Sequence, residues 1–162
     1  MAMNTRLVDN VKFVTAAVPK NYSGAASGNT WISMKNYNHL TVHILTGAWA
    51  GGTAAVTINQ ATAVAGTSQK ALAFSSQWTN IADTTGDALV QTAVTSNTFS
   101  LNTANCIYVI EVDAATLDAT NNFDCLSVQI ASPGSNADLY SMSYILSGSR
   151  YQQATPPTSL TD

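Results

Sequence analysis

The residues of this chain that could do acid–base or metal chemistry are few and poorly spaced for either. His39 and His43 are the only two histidines, and they lie four positions apart on one predicted strand. Residues i and i+4 of a strand are about 13 Å apart, whereas a zinc ion lies about 2 Å from each imidazole nitrogen. We therefore expect no shared metal, and we predict surface or edge positions for both histidines.

A second group of oxygen-bearing side chains flanks residues 114–119, a segment for which we predict a short helix capped by Asp113. The group comprises Asp113, Asp118, Asn121, Asn122 and Asp124. Its spacing does not match a calcium-binding EF-hand loop. Asp and Asn in turns commonly bond their own backbone, so we expect these residues to shape the turn and to bind no metal.

No further pattern indicates catalysis. The chain lacks a G-x-S-x-G nucleophile elbow, and Glu111 is its only glutamate, which leaves no evident pair of carboxylates for glycoside hydrolysis. Dinucleotide-binding, phosphate-loop and zinc-ribbon motifs are also missing from the sequence. We expect a protein that is not an enzyme and uses no cofactor.

Charge is scarce and evenly spread. Charged residues make up 9% of the chain, against roughly 25% in an average soluble domain. The six Lys and Arg residues form no basic patch, so we predict no direct nucleic-acid binding. The longest apolar runs are far shorter than the ~20 residues of a membrane-spanning helix, and the N-terminus lacks the apolar core of a signal peptide. We predict no membrane insertion and synthesis in the cytoplasm.

A surface rich in Thr, Ser, Asn and Gln costs little to desolvate when another protein covers it. It is also weakly protected against association by charge repulsion. The composition therefore favours a protein that is docked to a partner, although a Thr- and Ser-rich all-β surface is the simpler alternative.

Period-two alternation predicts the fold class. Leu40, Val42 and Ile44 share one face of a strand, and the same alternation recurs along most of the chain with turn residues between the segments. Segment 106–112 is apolar on both faces until Glu111, which predicts a central strand. We expect an all-β protein, an antiparallel β-sandwich of about eight strands, jelly-roll-like, with an immunoglobulin-like order as the alternative.

The ends differ from the middle. We predict an N-terminal arm and lead-in segment at 1–28, a β-sandwich domain at 29–150 and a flexible C-terminal tail at 151–162, which contains a diproline. Without an export signal, Cys106 and Cys125 are expected to be free buried thiols. Trp49 stands in a glycine-rich segment at 47–52, where it could stack on a sugar, anchor a protein partner or close the end of the sandwich.

Four segments taken in order resemble the head decoration family of tailed bacteriophages, also called capsid cement or minor capsid proteins. They are Trp31–Tyr37 with the strand at 40–46, Gly66–Phe74, Tyr108–Ala114 with Leu117, Asp118 and Asp124–Leu126, and Tyr144–Tyr151. The likeness covers most of residues 7–151. Each segment is a weak pattern on its own, and the ordered set is more specific.

The resemblance implies a non-enzymatic virion protein, often a homotrimer, that binds the outer surface of a capsid and bridges neighbouring capsomers. Its partners would be the major capsid protein and further copies of itself. As candidate contacts we select Arg6, Leu7, Val8, Trp49, Arg150 and Tyr151 by inference from the sequence, because the family has variable tails. Alternative functions are another virion component (tail, adaptor or head-fibre module) and a carbohydrate-binding module.

Overall fold

The computed structural model describes residues 6–27, 30–81, 87–151 and 156–161. Eleven strands and three single 3₁₀ turns make up its regular structure. The strands are β1 (Lys12–Asn21), β2 (Ile32–Ser33), β3 (Tyr37–Thr46), β4 (Ala54–Ala61), β5 (Lys70–Ala71), β6 (Ser76–Ile81), β7 (Val90–Ala93), β8 (Thr98–Leu101), β9 (Cys106–Asp113), β10 (Cys125–Ile130) and β11 (Leu139–Ser149). The turns are Leu7–Asp9, Ala114–Thr116 and Ala119–Asn121.

The strands form two antiparallel sheets. The large sheet has the order β1-β11-β3-β9-β6-β7, and the small sheet has the order β2-β10-β4-β5, with β8 also paired to β4. The predicted all-β antiparallel sandwich is confirmed. The number of strands exceeds the expected eight, in part because alternation cannot reveal the two-residue strands β2 and β5.

The core lies between the inner faces of the two sheets, where the alternating apolar residues meet. The large sheet contributes Leu40, Val42, Ile44, Tyr108, Ile110, Val112, Tyr140, Met142, Tyr144 and Leu146. The small sheet contributes Val56, Ile58, Leu126, Val128 and Ile130. β9 lies between β3 and β6, so the predicted central position of segment 106–112 is confirmed.

The prediction of a helix at 114–119 is wrong. The chain instead makes two 3₁₀ turns separated by Leu117, which is extended (φ −73, ψ 150) and buried in the core. Asp113 makes no side-chain hydrogen bond at the start of the first turn. Burial of the Leu117 side chain therefore outweighs continuation of the helix.

Residues 12–21, within the segment expected to be an arm, form an edge strand of the large sheet. β1 pairs with β11, and register shifts between Thr15 and Ala17 and between Ala17 and Lys20 interrupt the pairing. These bulges change which face each side chain meets, so the sequence shows no clean period here. Residues 1–5 and 28 of that segment lie outside the described residues.

The C-terminal segment lies against the sandwich where it is described. The backbone N–H of Ser33 donates to the carbonyl of Ser159 at 2.7 Å, and the hydroxyl of Tyr37 donates to the carbonyl of Pro157. Ser159 is fully buried. Residues 156–161 thus cover the outer edge of β2, whereas 152–155 and 162 of the expected flexible tail lie outside the described residues.

Neither cysteine is part of a disulfide, as expected. Cys106 and Cys125 are both buried and form no disulfide. They belong to different sheets, since β9 is in the large sheet and β10 in the small one.

One buried side chain forms hydrogen bonds with the backbone of β10 on the side of that strand that does not pair with β4. Beyond the two residues of β2, the Val128 N–H donates to the hydroxyl oxygen of Tyr144 at 2.8 Å, and that hydroxyl lies 3.4 Å from the Val128 carbonyl. Ser27 then pairs with Ile130 as an isolated bridge. Burial raises the pKa of Tyr144 to about 12. The hydroxyl therefore stays neutral and joins the two sheets.

We expect Tyr144→Phe to lower the free energy of unfolding by about 1–3 kcal/mol, because it leaves a buried N–H without a partner. Urea unfolding followed by far-UV circular dichroism measures the change. Tyr151→Phe is the control, because Tyr151 is exposed. Equal stability of the Tyr144→Phe variant and the wild type would contradict this role of the hydroxyl.

Candidate protein-interaction site

The outer face of the large sheet carries several exposed or half-buried apolar side chains. Residues directly opposite one another on antiparallel strands share a face. The central row of this outer face therefore contains Trp78, Val109, His43, Ser143 and Thr15. The rows on either side contain Ile107 with Leu45, and Ile145 with Phe13.

These side chains are only partly covered. Phe13 and Leu45 are 48% and 45% exposed, and Ile107, Val109 and Ile145 are half-buried. Leu45 and Ile107 adjoin each other and Val109, and Phe13 adjoins Ile145, with the Thr15, Ser143 and His43 positions between the two groups. Exposed apolar side chains grouped in this way are candidate interaction sites.

The outer face of the small sheet is different. Its paired positions hold the polar residues Thr57, Asn59, Gln129 and Thr98. At one end Trp31 packs with Ala61 and Cys125 in a small separate cluster that covers this face. The apolar outer face is therefore a property of the large sheet and not of the sandwich as a whole.

A cluster of one imidazole and two carboxylates lies on the same face, beside the apolar side chains. His39 Nδ1 is 2.7 Å from Asp113 Oδ1, and its Nε2 contacts the Glu111 carboxylate. The Thr41 hydroxyl donates to the same carboxylate at 2.9 Å. Both ring nitrogens face acceptors, which suits the doubly protonated imidazolium. The cluster ties β3 to β9.

The surroundings of the two histidines shift their pKa values in opposite directions. Partial burial opposes a charge on His39, but its hydrogen bonds to Asp113 and Glu111 and their negative charges outweigh it, so its pKa is raised. Burial lowers the pKa of His43. His39 thus favours the charged form and His43 the neutral one.

The oxygen-bearing side chains near residues 114–124 shape the local structure. Asp118 accepts hydrogen bonds from Asn121 at 2.8 Å and from Lys70, and these interactions lower the pKa of Asp118. Asp124 pairs with Lys35 at 3.4 Å. Among the described residues, no group of three or more His, Cys, Asp or Glu side chains could hold a metal ion.

Trp49 lies over the end of the core. Its ring is tilted against Tyr140 with centroids 6.4 Å apart, and its Nε1–H donates to the Gly52 carbonyl at 3.2 Å. The buried Asp138 carboxylate accepts from the backbone N–H of Ala50 at 2.6 Å and that of Gly51 at 3.3 Å. These contacts hold the loop closed, so Trp49 has the position of a core lid.

The topology separates the predicted contact residues into two groups. Arg6, Leu7 and Val8 precede β1, and Arg150 and Tyr151 follow β11; both chain segments lie at the same end of the sandwich, which we call the tail end. Tyr37, whose hydroxyl contacts Pro157, begins β3 at this same end. Trp49 follows β3 and lies at the opposite end.

The tail end exposes apolar side chains from separate parts of the chain. Leu7, Val8 and Tyr151 are 64%, 60% and 65% exposed, and Leu160 is also exposed. Sequence reasoning selected the first three individually. It did not show that they share one end of the sandwich, because this depends on the pairing of β1 with β11.

Comparisons with known proteins leave the family open. No protein-family model matches the chain, and no curated protein matches it. A solved structure of T=1 particles derived from infectious bursal virus is similar over 93% of this chain and 43% of that chain, with 14% sequence identity and a TM-score of 0.22. This chain thus matches less than half the length of that chain, and a TM-score of 0.22 is too low to indicate a structural relationship.

In the part of the molecule that the structure describes, no helix is long and apolar enough to cross a membrane.

We expect His39→Gln to lose stability relative to the wild type more strongly at about pH 6 than at about pH 9. The raised pKa means that His39 contributes its full stabilisation below its unfolded-state pKa and loses it as pH rises through the folded-state pKa. Urea unfolding of both proteins at each pH measures the difference.

His43→Gln is the matched control for this prediction. The pKa of His43 is lowered, so wild-type His43 disfavours the folded state at low pH and the variant should gain relative stability there. A pH-independent effect of His39→Gln would contradict the charged cluster.

Proposed function

We propose that this chain is a structural virion protein that binds the outer surface of an assembled phage capsid and stabilises it by bridging neighbouring capsomers. The observation that carries the proposal is the tail end, which exposes apolar side chains from the segments before β1 and after β11 of a low-charge β-sandwich. The resemblance of four ordered segments to phage head decoration proteins supports it. The proposed partner is the major capsid protein.

The tail end has the composition of a contact surface. Leu7, Val8 and Tyr151 supply apolar area, and two arginines lie among them. Arg6 Nε pairs with Asp9 Oδ2 at 3.0 Å, and Arg150 Nε donates to Asn38 Oδ1 at 3.1 Å. Aromatic residues and arginine are enriched in protein interfaces. Their hydrogen bonds within the chain orient both guanidinium groups before any partner binds.

Bridging does not require a strong single contact. A particle presents many equivalent sites, and an oligomer that engages several of them gains affinity from the high effective concentration of the second site. An interface of modest area at the tail end is sufficient under these conditions.

The rival functions have less support from the geometry. A carbohydrate-binding module would use Trp49 as a stacking platform, but its ring packs on Tyr140 and its N–H is bonded within its own loop. A tail, adaptor or head-fibre protein would share the same contact surface, so location on the particle separates it from a decoration protein.

We expect Val8→Asp to weaken binding to heads that lack this protein by about tenfold or more, because it places a charge in the proposed apolar contact. Co-sedimentation of purified chain with such heads measures the binding. Val90→Asp is the matched control, since Val90 is 63% exposed and lies on β7, away from the tail end. Equal weakening by both substitutions would contradict the assigned surface.

Deletion of residues 1–10 tests the same surface more severely. The deletion ends before β1 and leaves its pairing with β11 intact, whereas a longer deletion would remove that strand. We expect reduced binding to heads with unchanged far-UV circular dichroism, and undiminished binding would show that the N-terminal residues are not contacts.

Immunogold electron microscopy of virions with antibody against this chain tests the location. We expect label over the whole head. Label confined to the tail or a vertex would replace decoration with one of the other virion functions, and absence of label from all particles would overturn the virion assignment.

A further inference from the structure

We propose that the outer face of the large sheet is covered by a second copy of this chain, so that the protein self-associates sheet face to sheet face. This inference does not depend on the proposed function, because it concerns a different surface. The tail end is one end of the sandwich, whereas this surface is a side of it.

The size of the face suits a stable contact between two copies. Strands β1, β11, β3, β9 and β6 are spaced about 4.8 Å apart, and eight residues of a strand extend about 26 Å. The whole face, including the rows of His39, Glu111 and Asp113, therefore measures about 24 Å by 26 Å, or roughly 600 Å² in projection. Specific interfaces bury about 600–1,000 Å² on each partner, so the face alone reaches that range.

The charge distribution favours a copy of the chain as the partner. In a contact between two identical faces, residues near the symmetry axis meet themselves. The central row contains Trp78, Val109, His43 and Ser143, and burial lowers the pKa of His43, which keeps it neutral. Like charges therefore do not oppose one another at the centre of the face.

The charged groups of this face are His39, Glu111 and Asp113. Glu111 lies in the row of Thr41 and Ile145, and His39 lies opposite Asp113 in the next row. The imidazole lies between the two carboxylates, so an imidazolium compensates one of their two negative charges within one copy. The cluster lies off the central row, so a second copy centred on that row leaves the remaining negative charge toward the rim of the contact.

The edges of the large sheet direct association toward its face. β1 has two bulges, and Pro19 lies within it, which removes one N–H from the edge. The opposite edge, β7, has only four residues. Bulges, proline and short strands are features that hinder pairing between sheet edges, so the edges of this sheet do not favour association with another copy.

The face also has a groove and a projecting side chain that a second copy can fit. A groove of about 500 Å³ lies at one corner, lined by Pro19, Leu45 and Leu139 among others. Phe13 projects from another part of the same face and is 48% exposed. A projecting aromatic side chain and an apolar recess on one surface are the elements of a self-complementary contact.

Sedimentation velocity of the isolated chain over a range of concentrations tests the proposal. We expect the wild type to sediment as an oligomer that dissociates on dilution, and Leu45→Lys to raise the dissociation constant about tenfold or more. Thr57→Lys is the matched control, because Thr57 is at the centre of the outer face of the small sheet. A monomeric wild type at all concentrations, or equal effects of both substitutions, would overturn the proposal.

Cysteine labelling locates the contact directly and does not rely on a disruptive substitution. Ser143→Cys places a thiol at the centre of the large sheet's outer face, and Thr57→Cys places one on the small sheet. Both positions are half-buried in one chain. We expect reaction of the Ser143→Cys thiol with maleimide to be slowed at high protein concentration and restored on dilution, with Thr57→Cys unaffected; concentration-independent labelling of both would overturn the proposal.

These experiments use no capsid, so their outcome is separate from that of the proposed function. A monomer that still binds heads through the tail end would refute the face-to-face contact alone. An oligomer that binds no heads would retain this inference and refute the proposed function.

Discussion

The sandwich depends on a constraint at β10, a strand whose outer neighbour is only two residues long. Every buried backbone N–H and C=O needs a partner, and β2 satisfies only the beginning of this edge. The Tyr144 hydroxyl serves Val128, and Ser27 serves Ile130. Because Tyr144 belongs to the large sheet, closing the edge of the small sheet also joins the two sheets. At β2, the backbone carbonyl of Ser159 likewise accepts a hydrogen bond from the Ser33 N–H.

Much of the fold could be predicted because a strand that is buried on one face has apolar and polar residues in alternation along the sequence. Leu40, Val42 and Ile44 face the core as their alternation indicates, and segment 106–112 is central. β1 was not predictable, since two bulges and Pro19 break its period. The two 3₁₀ turns at 114–121 could not be predicted either. They depend on burial of Leu117 in the core, which is a tertiary contact, whereas helix propensity reflects only the local sequence.

The candidate surfaces were less accessible to sequence reasoning, since they depend on register. In the sequence, Glu111 is the single glutamate and interrupts an apolar segment, and no local pattern places it beside His39; the pairing of β3 with β9 does. The apolar outer face of the large sheet has the same origin. Val109, His43 and Ser143 come from three strands and become one row only through pairing. Leu7 and Tyr151 similarly share one end of the sandwich only through the pairing of β1 with β11.

A sandwich with few charges can hold two interfaces because its ends and its faces are independent surfaces. Loops and termini build the ends, so contacts there can change without disturbing the ladders. The outer face is built from the strands themselves, which makes it rigid and suited to a fixed geometry between copies. If copies associate through the face, their tail ends acquire a defined spacing. A defined spacing is what several weak contacts require in order to act together on a repeating surface.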